Sequence, residues 1–298
     1  MSTNDARPTD RVEAELSDAY LERFSGVGRV YGAQGLSSIA SAHACVVGVG
    51  GVGVWSAEAL ARSGVGEITL IDLDDLCVTN INRQLHALTS TVGQVKVEVM
   101  RERLFDINPD IVVHTEQRFF TPKSEESLLS APHGRARFDV LIDAIDHTER
   151  KALLIASCVR RSIPVVTCGA AGGRSAPQMI TCADLSESTH DGLLRNVKRI
   201  LRRDDMFRCA PQGGWGVKAV FSTERAIYPD GEGGVCHTPA PGESRRLGCE
   251  SGFGSLSFVT GAFGFLAASE AINVIIERSV KAPLNSLATQ DSTIGAAT

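Results

Sequence analysis

Among the eight cysteines of this 298-residue chain, no two stand in a C-x-x-C pair, the spacing from which half of a zinc site is most readily built. A zinc knuckle of that type is excluded. The opening residues MSTNDARPTDRVEAEL hold no apolar run, so a secretory leader is not expected, and thiols scattered without pattern suit a reducing cytosol. Excess positive charge is lacking too. Thirty basic against 35 acidic residues give a formal net charge of -5, which argues against indiscriminate nucleic-acid binding and leaves only a local basic face open. No internal repeat or long low-complexity linker interrupts the chain. What is present is apolar sequence, 43% of residues, enough to bury a substantial core.

One apolar stretch, SLSFVTGAFGFLAASEAINVII over 255–276, approaches the length of a membrane span. Glu270 and Asn273 weaken that reading, and Gly261, Gly264, Ala267 and Ala268 would let a helix lie close against a sheet. A buried helix is expected, without stable membrane insertion.

Residues 1–17 are polar and expected to be disordered, and the glycine-interrupted run that follows predicts short helices. From 44 to 170 strand and helix patterns alternate. HACVVGVG reads as a buried strand, VWSAEALARSG as a helix stopped by Gly64, and GEITLID as the second strand of a right-handed βαβ unit. TVGQVKVEVMRERLFDIN is helical in spacing, DIVVHTEQRF alternates, FDVLIDAID is a continuous apolar strand, and a helix and the strand IPVVTCGA follow. This predicts an α/β fold, Rossmann-like and doubly wound, with a mostly parallel sheet. Beyond 170 the pattern loosens into an irregular C-terminal extension, 171–298, with antiparallel strands and a basic helix; no composition shift marks a boundary, so 18–298 reads as a single domain.

Within GVGGVG, Gly48, Gly50 and Gly53, with Gly51 between them, satisfy G-x-G-x-x-G at a strand-to-helix turn, where backbone N–H groups and the helix dipole favour phosphate. Asp72 ends the next strand, the place from which a carboxylate reaches a ribose hydroxyl. The dense polar run after it, with Asp74, Asn80, Asn82, Arg83 and Gln84 and then Lys96, is out of place in a nicotinamide enzyme, and Arg83 with Lys96 would neutralise a triphosphate. Asp143 and Asp146 in DAID fall at the carboxyl edge of the sheet, where one of them can hold magnesium; Asp146 is also placed to cap a helix starting near Thr148.

The glycine loop, the D-x-D strand end, the N-x-N-R-Q run, the lysine and DAID together resemble the ATP-dependent adenylating enzymes of the ubiquitin-activating superfamily. Within it, RFSGVGRVYG, IDLDDLCVTNINRQLHAL, INP, VFSTE and SGFGSLSFVTGAFGF are similar to the branch that dehydrates threonylcarbamoyladenosine in tRNA, a likeness spanning roughly 20–278. The resemblance implies a homodimer in which ATP and magnesium activate the threonylcarbamoyl carboxylate at adenosine 37, releasing pyrophosphate and then AMP. It casts Arg83, Lys96 and Asp146 as the catalytic set, Asp146 as the magnesium ligand, Asp72 on the ribose, and Asn80 and Gln84 on the phosphates. Related sulfur-carrier activators send an N-terminal arginine into the neighbouring subunit; Gly26 falls at that position here, leaving Arg23 and Arg29 as substitutes by proximity alone. No cysteine is singled out as a thioester nucleophile, and Cys249 reads as a structural thiol.

For tRNA, LLRNVKRILRRDD sets Arg195, Lys198, Arg199, Arg202 and Arg203 at helical spacing on what reads as one basic face, with Arg174 a second candidate near the sheet edge and the loop around Arg245 and Arg246 a third. Three other readings stay open. An activator of a ubiquitin-like sulfur carrier shares every ATP motif, a nicotinamide dehydrogenase shares only the loop and Asp72, and a silent scaffold would keep ATP for structure or hand sulfur between relay partners.

Overall fold

The computed structural model describes residues 16–130, 136–208, 214–238 and 254–288, with backbone alone for 280–288. The expected N-terminal tail, Cys249 and the loop around Arg245 and Arg246 lie outside the described residues, apart from Leu16 and Ser17. The chain opens on helix α1 (Asp18–Ser41), whose first turn is capped by the Ser17 side chain accepting the Tyr20 N–H at 3.1 Å. Gly32, at φ 77°, breaks it into two segments, the short helices that the glycine-rich sequence predicts.

A seven-stranded sheet follows in the order β3-β2-β1-β4-β5-β7-β6. Strands β1 (His43–Val47), β2 (Glu67–Ile71), β3 (Val112–Glu116), β4 (Val140–Asp143), β5 (Val165–Cys168) and β7 (Lys218–Ser222) run parallel, and only β6 (Ile180–Asp184) is antiparallel, at the far edge. Strands β1, β4 and β5 are buried residue by residue. That explains their continuous apolar sequences, since helices cover both faces. Helices α1, α2 (Gly53–Arg62), α3 (Lys96–Ile107) and α7 (Ser257–Ala288) enclose one core layer; α4 (Glu125–Leu129), α5 (Thr148–Arg160) and α6 (Gly192–Leu201) enclose the other. A short hairpin pairs β8 (Tyr228–Pro229) with β9 (Val235–Cys236). Thus the stretch beyond 170, read as an irregular extension, adds β7 and the antiparallel β6 to the same sheet. Helix α4, five residues long, is too short to show a helical period in sequence.

Residues 257–279 of α7 are long and apolar enough to cross a bilayer, but Val259, Phe263, Ala267, Ala268, Ala271 and Ile272 are buried in the sheet's core layer. Burying Phe263 or Ile272 contributes about 1.5–3 kcal/mol each. Small residues make the packing close: a side chain at Gly264 would collide with Trp55 and the Val52 carbonyl, and Ser56 Oγ donates to the Gly264 carbonyl at 3.1 Å. The membrane-length segment is therefore a core helix here, as Glu270 and the small residues anticipate.

Candidate functional site

Strand order turns outward on either side of β1 and β4, and in open α/β sheets that divide opens a crevice at the carboxyl ends of the strands. A cavity of about 720 Å³ lies there, lined by Gly48, Gly50, Gly51, Asp72, Asp74, Asn80, Arg83, Gln84, Lys96 and Asp146. Gly48 sits at φ 90° against the Ala144 backbone, and a side chain at Gly53 would overlap the Gly48 carbonyl. Only glycine fits this turn. One Asp72 oxygen accepts the Val49 N–H at 2.7 Å and the other the Asp74 N–H at 2.9 Å, so the strand-end acid also shapes the glycine loop. Burial pushes Asp72 above the ordinary carboxylate range, against the pull of Lys96.

Lys96, the first residue of α3, is buried and pairs with the half-exposed Asp74 at 3.0 Å. The Asn80 carboxamide oxygen accepts the Cys77 N–H at 3.0 Å and fixes the turn that presents Arg83. Trp55 Nε1 and Thr260 Oγ1 both donate to the Arg83 carbonyl, so the adjoining helices α2 and α7 together fix the N-x-N-R-Q run. The Gln84 Oε1 is buried without a hydrogen-bond partner. An acceptor of that kind at a cavity wall suits a ligand donor. Asp146 stands exposed on the rim, and no hydrogen bond or ion pair engages its carboxylate among the described residues; α5 is capped at His147 without any side-chain bond, so capping is not the role of Asp146. A free carboxylate beside a phosphate-sized loop fits a hard, oxygen-seeking ion such as magnesium.

Residues 25–295 match the ThiF family. The chain belongs to that family. The tRNA threonylcarbamoyladenosine dehydratase of Escherichia coli (strain K12) is 45% identical over 267 residues, covering 89% of this chain and 98% of that protein. Its namesake in Haemophilus influenzae is 44% identical, covering 88% and 96%. Among solved structures, TcdA (CsdL) superposes with a TM-score of 0.81 at 43% identity, covering 90% of this chain and 99% of that one. The E. coli dehydratase in complex with ATP superposes at 0.78 and 41% identity, with the same coverage of both chains.

Several residues expected at the site of this ThiF-family chain have other work. Asp143 is sealed beneath the cavity floor, paired with Lys151 Nζ at 2.9 Å and accepting from Thr167 Oγ1 at 2.7 Å, both partners being fully buried. It therefore supports the edge rather than facing a nucleotide. Arg174 is buried as well, donating to the carbonyls of Glu224 and His190, which withdraws it from any open tRNA surface. Lys198 turns inward and donates to the Ser188 carbonyl at 2.7 Å, and burial lowers its pKa. The expected basic face of α6 is consequently reduced to Arg195 and Arg199, exposed on the helix, with Arg202 and Arg203 just beyond its end and Arg202 over the Trp215 ring. Arg23 and Arg29 are exposed on α1 and do not line the cavity.

Other side chains reach the cavity or its wall unannounced by any motif. Arg118, Phe119 and Arg150 line it, with the Arg150 guanidinium 4.0 Å from the Phe119 ring centroid. His86, two residues past the N-x-N-R-Q run, is buried with both ring nitrogens lacking hydrogen-bond partners. Burial, then the charge of Lys96, pushes it down to about 3, so the ring is neutral. Cys168 lies buried at the cavity wall, and burial pushes its thiol up to about 12.

Proposed function

We propose that this protein uses ATP to dehydrate N6-threonylcarbamoyladenosine at position 37 of tRNA by adenylating its carboxylate. What carries the reading is end-to-end likeness to named dehydratases, one of them solved with ATP, combined with a polar cavity at the sheet edge that joins a glycine loop to Arg83 and Lys96. A substrate carboxylate oxygen attacks the α-phosphorus, the bond to the bridging oxygen breaks, and pyrophosphate leaves. An internal nucleophile of the same side chain then attacks the activated carbonyl carbon, and AMP departs with the oxygen, so that one water is lost overall.

The protein's task is alignment and charge neutralisation. The glycine loop turns its N–H groups toward phosphate, Asp72 holds the ribose, and Gln84 and Asn80 orient the phosphate chain. Arg83 and Lys96 offset the negative charge that builds at the α-phosphorus. Asp146 would hold magnesium, which would supply further neutralisation of the triphosphate. The finer parts of the proposal are a homodimer with Arg23 or Arg29 reaching across, a cytosolic setting, a sulfur-relay protein as partner, and tRNA phosphates on Arg195, Arg199, Arg202 and Arg203.

The test is incubation with threonylcarbamoylated tRNA, ATP and magnesium, followed by mass spectrometry of the nucleosides. A product lighter by one water, formed only with ATP, is expected. Unchanged nucleoside in the presence of pyrophosphate exchange stimulated by a sulfur-carrier protein would replace this reading with activation of such a carrier.

A further inference from the structure

At the amino end of the sheet, a strand's length from the cavity, three metal-ligating side chains converge. His43 opens β1, Glu67 opens β2 directly beside it, and His114 lies on β3 opposite Thr69. Alternation along the strands puts His43, Glu67, Thr69 and His114 on one face. Both imidazoles approach the same carboxylate oxygen: His43 Nδ1 is 3.3 Å from Glu67 Oε1, and His114 Nε2 is 2.9 Å from it. All three ligand atoms lie within 4.8 Å of one another.

We propose that His43, Glu67 and His114 form a binding site for a zinc-class divalent ion, separate from the nucleotide cavity. Ligands about 2.0–2.1 Å from a tetrahedral ion are separated from each other by roughly 3.3–3.5 Å, and the two imidazole nitrogens already stand 3.3 and 2.9 Å from the Glu67 oxygen. Two imidazoles and one carboxylate are a donor set that zinc accepts, with a fourth position left for water. His43 is oriented as a ligand needs to be: its Nε2 meets Thr69 Oγ1 at 2.8 Å, which directs Nδ1 toward the site, and Phe138 packs edge-on against the ring. The backbone N–H of His43 is held by Asp139 Oδ2 at 2.8 Å. Burial is graded from His43, 7% exposed at its side chain, through Glu67 at 27% to His114 at 42%. An ion can enter from the His114 side. Such an ion would tie the first residues of β1 and β2 to the middle of β3, away from the strand ends that carry the cavity, so its role is structural.

The experiment uses the full chain without a histidine tag, stripped with chelator and titrated with zinc chloride alone, by calorimetry and by thermal melting. The parent is compared with His114→Ala, a half-exposed position whose loss spares the core, and with Glu67→Gln. One equivalent in the parent should weaken by at least about tenfold in each variant, and its rise in melting temperature should vanish. Cobalt(II) added instead should give the intense visible absorption of a four-coordinate site without thiolate charge transfer, and His114→Ala should lose it. If zinc stoichiometry and affinity are equal in parent and both variants, or if no equivalent binds and cobalt stays octahedral, the cluster is a His–Glu–His hydrogen-bonded network only and the proposal falls.

Discussion

Two lysine–carboxylate pairs at the carboxyl edge of the same sheet have nearly equal lengths and opposite surroundings. Lys96 meets Asp74 at 3.0 Å with the aspartate side chain 54% exposed, whereas Lys151 meets Asp143 at 2.9 Å with both side chains fully buried. Distance does not distinguish them; access does. A pair open to the cavity can exchange its partner for a phosphate, whereas a sealed pair, already satisfied by Thr167 and by the Ile145 N–H, has no reason to open.

The strongest test of this contrast removes the sealed cation. Lys151→Met should cost about 3–5 kcal/mol in urea unfolding, because Asp143 is left charged and dry. Replacing both, as Asp143→Leu with Lys151→Met, should recover much of that loss. Stability equal to the parent's in the single variant would mean that the pair is not the keystone its burial implies.

Lys96→Ala should do the reverse. Its partner Asp74 is solvated, so the fold should lose no more than about 1 kcal/mol, while carboxylate adenylation should fall by about a hundredfold, as should that of Arg83→Ala. Pyrophosphate exchange at saturating ATP reads this directly. A variant that unfolds like Lys151→Met, or that turns over at the parent rate, removes the distinction between the pairs.

Acid sharpens the comparison through His86, which sits behind Lys96. Its folded value is lowered to about 3, against about 6.5 in the unfolded chain. Between those values the unfolded state binds the extra proton, so its contribution to stability falls as pH drops through this window. The parent should therefore lose up to about 1.4 kcal/mol per pH unit more than His86→Leu there. Parallel stability curves would show that the ring is reached by water.

The smallest expected effect concerns α6, where the same inside–outside contrast recurs one residue apart. Arg195→Glu with Arg199→Glu should weaken tRNA binding several-fold and flatten its salt dependence by roughly one unit of slope for each phosphate no longer neutralised. Lys198→Gln should leave that slope alone and lower the melting temperature. The opposite pattern would place the tRNA elsewhere.

These contrasts also show what the amino-acid order reveals. The alternation of strands and helices, the glycine loop and the cluster from Asp72 to Lys96 are legible because period, turn chemistry and charge density all lie within short windows. The inward turn of Lys198 is legible too, since it falls beside Val197 and four residues after Leu194, both on the apolar face of α6. Counting cations alone overrides it. Lys151 follows Glu149 and Arg150 in the charged first turn of α5, and nothing local says that it is the one turned inward or that Asp143 rather than Asp146 is its partner. Arg118 and Phe119 follow β3 whereas Arg150 belongs to α5, so only the folded sheet brings them to one cavity. Arg174 reads as a free cation beside glycines because the carbonyls that hold it belong to residues 16 and 50 positions away.

The clamp on the Arg83 carbonyl has a consequence for biosynthesis. One of its two donors, Thr260, and the glycine at 264 that admits Trp55 both belong to α7, the most C-terminal helix among the described residues. A ribosome-bound nascent chain that has completed β1 to β5 possesses the glycine loop and the strand-end acid but not the wall that positions the arginine. Chains of increasing length stalled on the ribosome should thus remain unable to adenylate until α7 clears the exit tunnel. Competence would then arrive in one late step, so that truncated products of interrupted translation do not consume ATP.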